Sequence, residues 1–319
     1  MALSINKIEI ESQVQETLNE EMEKVRQLIR SKSKSKFSAI QEIVNDVIDL
    51  NGKMLRPYMT IVSANFGDYK SDKIVKLASA IEMLHMATLI HDDIVDDSKV
   101  RRNKESVQSK YGKDLAVYAG DYLLSKALSI LSADAYDASH MERLTKAVEH
   151  ICESELLQFQ SKYYLLNVKN YLRIISGKTA ALFAISMYSG AAEGGCDEAF
   201  AKQMGRIGYE LGIAFQIIDD ILDFSDNQDQ VGKTTRNDLK KGYFTLPAIY
   251  ALQGINAQNI EQNEDVMMDL IKKNKGIEKA RALAQKYTKK AYKRIAKLPE
   301  SNYKGVVEQL AKTLLDRAY

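Results

Sequence analysis

Residues 72–97 read DKIVKLASAIEMLHMATLIHDDIVDD. Most of this stretch is apolar, it contains neither proline nor glycine, and it ends in an acidic cluster. The pattern predicts a largely buried helix that carries carboxylates at its carboxyl end. Asp92 and Asp96 are four residues apart, so on a helix their carboxylates share one face, where like charges repel each other.

Residues 215–223, FQIIDDILD, repeat this arrangement. Asp219 and Asp223 are again four residues apart, and isoleucine and leucine surround them. Carboxylates crowded among apolar residues need positive charge nearby, or some of them must bind a proton. Mg²⁺, which proteins hold with a few carboxylates together with substrate phosphates, would supply that charge. A solvated acidic helix end is the alternative for one cluster, but two copies flanked by apolar residues favour a metal site.

The rest of the chain is also patterned as helix. Only three prolines occur in 319 residues, and no run alternates in the manner of a strand. We therefore predict an all-α fold, with one domain over 1–319 built as a helix bundle and no sheet. Residues 1–38 are interpreted as an amino-terminal helix and a polar connector. The other predicted helices span 39–50, 113–134, 141–165, 168–191, 197–225, 243–252 and 277–318.

Composition excludes several classes of protein. Apolar residues make up 45% and charged residues 28%, which is typical of a soluble globular chain. A formal net charge of +2 argues against a nucleic-acid partner. Two cysteines, Cys152 and Cys196, are too few for a disulfide framework and indicate a reducing compartment. Because neither a signal core nor an uncharged apolar run of membrane-spanning length is present, we expect a cytoplasmic protein without a transmembrane segment.

Basic residues occur in four short motifs. Singly, each is typical of a solvated surface group, and none has the spacing of a P-loop. Together they indicate two anion sites, one bridged by metal to carboxylates and one held directly by Arg and Lys. The four motifs are GKMLRP at 52–57, Arg101-Arg102, Gly177-Lys178-Thr179 and Gly232-Lys233-Thr234.

The motifs together resemble a known family. In order they are GKMLRP, EMLHMATLIHDDIVDD, RR, GKTA, FQIIDDILD and GK…DL…TLP. Between Gly52 and Pro247 this ordered set is similar to that of the trans-isoprenyl diphosphate synthases, or polyprenyl synthetases. The resemblance implies the isoprenoid synthase fold, in which the two acidic helices face each other across a deep central cavity. It also implies Mg²⁺-dependent, head-to-tail condensation of isopentenyl diphosphate onto an allylic diphosphate, by ionisation, condensation and elimination.

The resemblance further implies a role for each motif residue. Three Mg²⁺ ions are expected, two on Asp92 and Asp96 and one on Asp219, with Asp93, Asp220 and Asp223 in support. The groups expected to act in catalysis are Asp92, Asp96, Asp219, Lys178 and Arg101. The allylic diphosphate would contact Arg101, Lys178, Thr179, Gln216 and Lys233. Isopentenyl diphosphate would contact Lys53, Arg56, His85 and Arg102. His85 alone would be read as a core histidine, but it precedes Asp92 by seven residues on the same helix face.

One position departs from the family pattern. Family members often carry lysine two residues before the threonine of TLP, whereas residues 242–247 here read GYFTLP, with Tyr243 at that place. Lys240 and Lys241 lie close by in sequence. The lysine is also missing from catalytic subunits of some two-component hexaprenyl and heptaprenyl synthases. The family is usually dimeric, so the resemblance implies a homodimer or a heterodimer with a small subunit.

Product length should depend on the helix before Asp92. Ala87 and Thr88 lie about one turn, roughly 5–8 Å, below the aspartates. Short-chain members of the family commonly have aromatic residues there, so small side chains predict a long product, hexaprenyl to octaprenyl or longer, as used for quinone side chains. A geranylgeranyl product is the alternative. Other positions expected to limit the chain are Met83, Leu84 and Leu128.

Two other protein classes share parts of this pattern. A class I terpene cyclase would have the first acidic motif, but GKMLRP and the arginine pair would then be unexplained. A non-catalytic regulatory subunit of a heteromeric synthase should have lost acidic ligands, whereas both acidic motifs are intact here. The sequence therefore favours an active prenyltransferase.

Overall fold

The computed structural model describes residues 12–49, 52–102, 104–134, 136–224, 237–254 and 264–316. Its helices are α1 (Ser12–Lys32), α2 (Ser38–Asp49), α3 (Leu55–Ala64), α4 (Ser71–Val95), α5 (Val107–Tyr111), α6 (Lys113–Ser132), α7 (Ala138–Gln160), α8 (Val168–Ile175), α9 (Ala181–Glu193), α10 (Glu198–Leu222), α11 (Asn237–Lys240), α12 (Leu246–Ala251), α13 (Glu264–Lys273), α14 (Gly276–Ile295) and α15 (Asn302–Leu315). The all-α prediction is confirmed.

The prediction that the chain has no sheet is wrong in one place. Two-residue strands β1 (Val100–Arg101) and β2 (Lys104–Glu105) pair in antiparallel fashion. Arg102, at the turn, has a left-handed backbone with φ 52°. Strands this short cannot show the alternation by which a sequence reveals a strand.

The carboxyl-terminal helix prediction also needs correction. The single helix expected over 277–318 is divided into α14 and α15, and α13 was not predicted. Pro299 lies in the connection, and the Ser301 hydroxyl accepts a hydrogen bond from the Lys304 N–H at 3.2 Å, which caps α15. Pro299 followed by Ser301 indicates a helix boundary, but the apolar spacing that continues across it favoured one long helix.

The chain groups into two compact units. The amino-terminal unit contains Ile10–Glu142 and Ser186–Met204, and the carboxyl-terminal unit contains Arg143–Ile185 and Gly205–Tyr319. Whether they act as the single expected domain stays a prediction.

Helix α4 lies at the centre of the amino-terminal unit, where it packs against α1, α3 and α6. By length and composition it could cross a membrane, but 72% of its most apolar window is buried inside the protein, as in a core helix. Helix α9 approaches α3 closely because Gly190 has no side chain. A Cβ at that position would lie 2.2 Å from the Thr60 carbonyl oxygen.

The carboxyl-terminal unit has its own apolar core between α12 and α13. Its buried members are Phe224, Ala248, Ala251, Leu252, Met267, Met268 and Ile271. Helix α14 packs against α12, and an ion pair ties it to α10, because Arg294 Nε donates to both carboxylate oxygens of Glu210 at 2.9 and 3.0 Å. This bifurcated hydrogen bond between two charged groups restrains the rotation of α14 about its axis.

Candidate active site

The first acidic motif ends helix α4. The Asp96 N–H donates to the Asp92 carbonyl at 2.9 Å, so the two residues are one helical turn apart, and both are half-buried. Asp93 is only 2% exposed. The chain then leaves the helix through Asp97, whose φ is 47°.

Arg101 on strand β1 neutralises the buried carboxylate. Its Nε and Nη2 donate to the two oxygens of Asp93 at 2.6 and 2.7 Å. The segment that brings Arg101 back to α4 is held by the Ser98 carbonyl, which accepts from Ser106 Oγ at 2.6 Å and Gln108 Nε2 at 2.7 Å. The hairpin therefore positions Arg101, which the family resemblance assigns to the allylic diphosphate.

A pocket opens beside this ion pair within the amino-terminal unit. Its empty volume is about 510 Å³, part of it open solvent, and it lies between α4 and the hairpin. It is lined by Val47, Gly52, Glu82, His85, Met86, Leu89, Ile90, Asp93, Arg101, Arg102, Ser106 and Val107. Gly52 lets the Arg102 guanidinium lie against the backbone, since a Cβ at this position would lie 2.4 Å from Arg102 Nη2. The pocket thus brings together four predicted residues, which are His85, Asp93, Arg101 and Arg102.

The electrostatics of this pocket favour an anion. Burial, followed by the charges of Arg56, Arg102 and Arg101, holds the pKa of His85 well below its usual range. Burial lowers the pKa of Arg56 to about 10, despite the opposing charge of Glu82. Like charges that lie close together in a pocket with little water repel each other. A bound diphosphate would lower this repulsive electrostatic free energy.

Glu82 was missed by the sequence analysis. It is 6% exposed, burial raises its pKa, and its Oε2 has no hydrogen-bond partner among the described residues. The sequence feature that could have indicated Glu82 is one acidic residue within the mostly apolar stretch IEMLHM.

The second acidic motif repeats the plan of the first with different partners. Asp219 and Asp223 are half-buried, whereas Asp220 is 4% exposed. The Tyr171 hydroxyl donates to Asp220 Oδ2 at 2.6 Å, and Gln216 Nε2 donates to Oδ1 at 2.8 Å. In turn Thr179 Oγ1 donates to Gln216 Oε1 at 2.6 Å. Nothing around Tyr171 in the sequence signalled its part in this network.

Lys178 lies in a π-helical turn, Ser176–Ala180, that interrupts the helix expected over 168–191. Its ammonium donates to Glu155 Oε2 at 3.1 Å and to Gln158 Oε1 at 3.0 Å. Single π-helical turns inside α-helices occur frequently at functional sites, because they redirect side chains out of the helical register.

Asp238 on α11 adds a carboxyl group to this neighbourhood. Its N–H lies 3.5 Å from Asp223 Oδ2, and burial together with the charge of Asp223 raises its pKa to about 6. Lys178 and Lys241 act in the opposite direction. The Tyr243 ring is buried, with 9% exposure, and the Tyr243 N–H donates to the Asp238 carbonyl at 2.9 Å.

The carboxylates fit a hard divalent cation. In each motif two half-buried aspartates share a helix face, and in the second motif the charge of Asp223 contributes, after burial, to the raised pKa of Asp238. In the part of the chain that the structure describes, no three His, Cys, Asp or Glu side chains form a closed metal cage. Magnesium commonly binds in this open manner, with water and phosphate completing its coordination.

The remaining predicted residues are placed as follows. Lys53 and Arg56 are half-buried before and within α3. On α4, Met83, Leu84 and Ala87 are buried, and the Thr88 hydroxyl donates to the His85 carbonyl at 2.8 Å. Leu128 on α6 is 55% exposed. Lys233 lies outside the described residues.

Comparison with known proteins places these features in a family. A model of the family described as polyprenyl synthetase matches residues 37–287. Heptaprenyl diphosphate synthase component 2 of Bacillus subtilis is 32% identical over 95% of this chain and 89% of its own.

Solved structures agree with the family match. A decaprenyl diphosphate synthase from Rhodobacter capsulatus superposes with a TM-score of 0.89 at 32% identity, over 95% of this chain and 98% of the other. A polyprenyl synthase from Caulobacter crescentus, complexed with calcium and isoprenyl diphosphate, has a TM-score of 0.86 at 31% identity, over 95% and 97%. The expected isoprenoid synthase fold is confirmed.

We predict that the His85 ring stays neutral at and above the pH at which an ordinary histidine titrates, because burial and three guanidinium groups lower its pKa. NMR titration would show no midpoint there, with the resonance assigned by His85→Gln. Arg102→Ala should raise the pKa of His85, because it removes one like charge. Lys104→Ala, on the other strand of the hairpin, is the control and should leave it unchanged. A wild-type midpoint near the ordinary histidine value would contradict this account.

Proposed function

Since this chain belongs to the polyprenyl synthetase family, we propose from that premise which of its residues bind the metal ions and the two diphosphates. As a member it is a prenyltransferase, a trans-polyprenyl diphosphate synthase with a long product. The observation that carries the assignment is the pocket lined by His85, Arg101 and Arg102, where positive groups are crowded and desolvated.

The proposed metal ligands are the half-buried aspartates of the acidic motifs. Asp92 and Asp96 would hold two Mg²⁺ ions and Asp219 a third, with Asp223 beside it. Asp93 and Asp220 are buried and bonded to protein groups, so we assign them to positioning. The Caulobacter relative complexed with calcium supports a divalent cation. When bound, Mg²⁺ would neutralise the charge that develops on the departing diphosphate.

We assign the two diphosphates to different groups of residues. Isopentenyl diphosphate would bind to Arg56, Arg102 and Lys53, and the neutral His85 ring could donate one N–H without adding charge. The allylic diphosphate would contact Lys178, Thr179 and Gln216. Arg101 and Lys233 complete that set in the proposal.

The chain's residues support the reaction by binding and by excluding water. The carbon–oxygen bond of the allylic diphosphate breaks, and the isopentenyl double bond supplies the electron pair of the new carbon–carbon bond. The proton released afterwards goes to the freed diphosphate, since no side chain of the motifs is an obvious base. Met86, Leu89 and Ile90 give the pocket an apolar wall against water.

Lys241 is our candidate for the lysine that Tyr243 replaces. It lies close enough to Asp238 to lower the pKa of that carboxyl, whereas the neighbouring Lys240 is exposed. The buried Tyr243 ring would then serve packing, and the cation would be supplied two residues earlier in the chain.

Assembly and location are proposed on separate grounds. Helix α6 exposes Val117, Tyr118 and Leu128 to 39%, 63% and 55%, which supports a homodimer through this helix. The name of the Bacillus relative, component 2, supports a second component as the alternative. Sedimentation of the purified chain as a monomer would exclude the homodimer.

We place the enzyme in the cytoplasm, which recovery in a secreted fraction would contradict.

The purified chain, incubated with isopentenyl diphosphate, farnesyl diphosphate and Mg²⁺, should produce a ladder ending at thirty carbons or more. Asp92→Ala should reduce the rate by about 10²-fold or more, because a charge-stabilising ligand is lost. Asp97→Ala removes an exposed aspartate of the same motif and should have little effect. Full activity of Asp92→Ala would refute the metal assignment. A wild-type chain that is inactive until a second component is added would support the heteromer.

We predict that Ala87→Phe shortens the product. Ala87 is 2% exposed on α4, about one turn before Asp92, so an aromatic ring there would block the path of the growing chain. Product sizing after dephosphorylation would show termination near twenty carbons. Ala87→Ser, which adds little volume, is the control and should keep the long product. An unchanged ladder from a folded Ala87→Phe variant would contradict the path along α4, and a wild-type stop at twenty carbons would favour the geranylgeranyl alternative.

Lys241→Ala should raise the KM for the allylic diphosphate about tenfold, because one charge-assisted contact is lost. The KM for isopentenyl diphosphate should not change. Lys240→Ala is the matched control with the same loss of charge. Equal effects of the two substitutions on both substrates would show that Lys241 has no special role.

A further inference from the structure

The outer face of helix α14 carries a dense stripe of lysines. Successive residues rotate by about 100° around a helix, so the five lysines fall within a sector about 100° wide and about 21 Å long. All five are exposed. They are Lys279, Lys286, Lys289, Lys290 and Lys293.

The opposite face of α14 is fixed in the core. Ala280, Ala284, Ala291 and Ile295 are buried, and the contact between Arg294 and Glu210 prevents rotation. The lysine stripe is therefore held outward. Because the buried face of the helix is its apolar face, the stripe offers a partner mainly positive charge.

The stripe also lacks compensating acidic groups. Among the described residues, no carboxylate forms an ion pair with any of these five lysines, and Glu278 is the helix's single acidic residue, at the edge of the stripe. Several lysines elsewhere are paired with carboxylates, as Lys73 is with Glu193 at 2.5 Å and Lys110 with Asp46 at 2.6 Å. Four of the stripe lysines and two uncharged side chains line one shallow, open depression. With a net charge of only +2 on the whole chain, this local excess is a distinct surface.

We propose that this lysine stripe docks the protein on a membrane surface rich in anionic lipid. A straight row of ammonium groups on one rigid helix matches a plane of headgroups, and clusters of this size are attracted to anionic leaflets. The choice of lipid over another polyanion rests on the proposed function, since a long polyprenyl chain leaves the enzyme for a membrane. Binding of this kind is screened within a Debye length, about 8 Å at physiological salt.

Cosedimentation of the full chain with vesicles, without substrates, tests this proposal. Binding should be at least tenfold stronger to vesicles containing about one third phosphatidylglycerol than to pure phosphatidylcholine, and it should be lost at about 0.5 M NaCl. Replacing Lys286, Lys289, Lys290 and Lys293 by Gln should remove the preference. Product synthesis in detergent should not change, because none of these residues belongs to the proposed site.

A matched variant removes the same charge elsewhere. Gln at Lys32, Lys34, Lys36 and Lys202 should leave vesicle binding intact. An equal loss in this control, or equal binding to neutral and anionic vesicles, would overturn the proposal. Tighter binding to a single-stranded oligonucleotide than to anionic vesicles at the same salt would instead identify a nucleic-acid surface. Because synthesis is measured separately, a failure of vesicle binding leaves the enzymatic assignment standing, and a failure of synthesis leaves the docking result interpretable.

Discussion

A buried aspartate anchored by protein groups is the constraint on which each acidic motif depends. Asp93 is held by the Arg101 guanidinium and Asp220 by Tyr171 and Gln216. A carboxylate removed from water is costly unless it is paired or hydrogen-bonded, so these contacts fix the rotation of each helix end. Once that rotation is set, the other two aspartates of each motif share the half-buried face of the helix. They are Asp92 and Asp96 around Asp93, and Asp219 and Asp223 around Asp220.

The same constraint explains the imbalance of charge around the motifs. Arg101 pairs with Asp93, and Arg56 and Arg102 add further positive charge beside the pocket, which Glu82 opposes. Their effect is visible in the depressed pKa of His85. In the carboxyl-terminal unit, burial followed by the negative charge of Asp223 raises the pKa of Asp238. Groups so perturbed gather at sites that bind ions of the complementary charge.

Sequence patterns predicted what depends on periodic spacing along one helix. Helix α4, the aspartates four residues apart and His85 on their face all follow from the period of 3.6 residues. Contacts between different elements cannot be predicted from the helical period. The hairpin that returns Arg101 to Asp93 has two-residue strands, and Tyr171 reaches Asp220 across 49 positions of sequence. The end of α14 was missed because the apolar period continues past Pro299, although the Ser301 cap starts a new helix.

The two anchors differ in a way that distinguishes the motifs. Arg101 brings a full positive charge to Asp93, so the first motif has an internal counter-ion. The hydroxyl of Tyr171 and the amide of Gln216 offer Asp220 only dipoles, and burial with the charges of Asp238 and Asp219 raises its pKa well above the usual value. Dipoles satisfy hydrogen bonds without cancelling charge. Among the described residues, the buried aspartate of the second motif therefore has neutral hydrogen-bond donors where that of the first motif has a cation. We therefore expect the second motif to depend more strongly on a cation supplied from outside the chain.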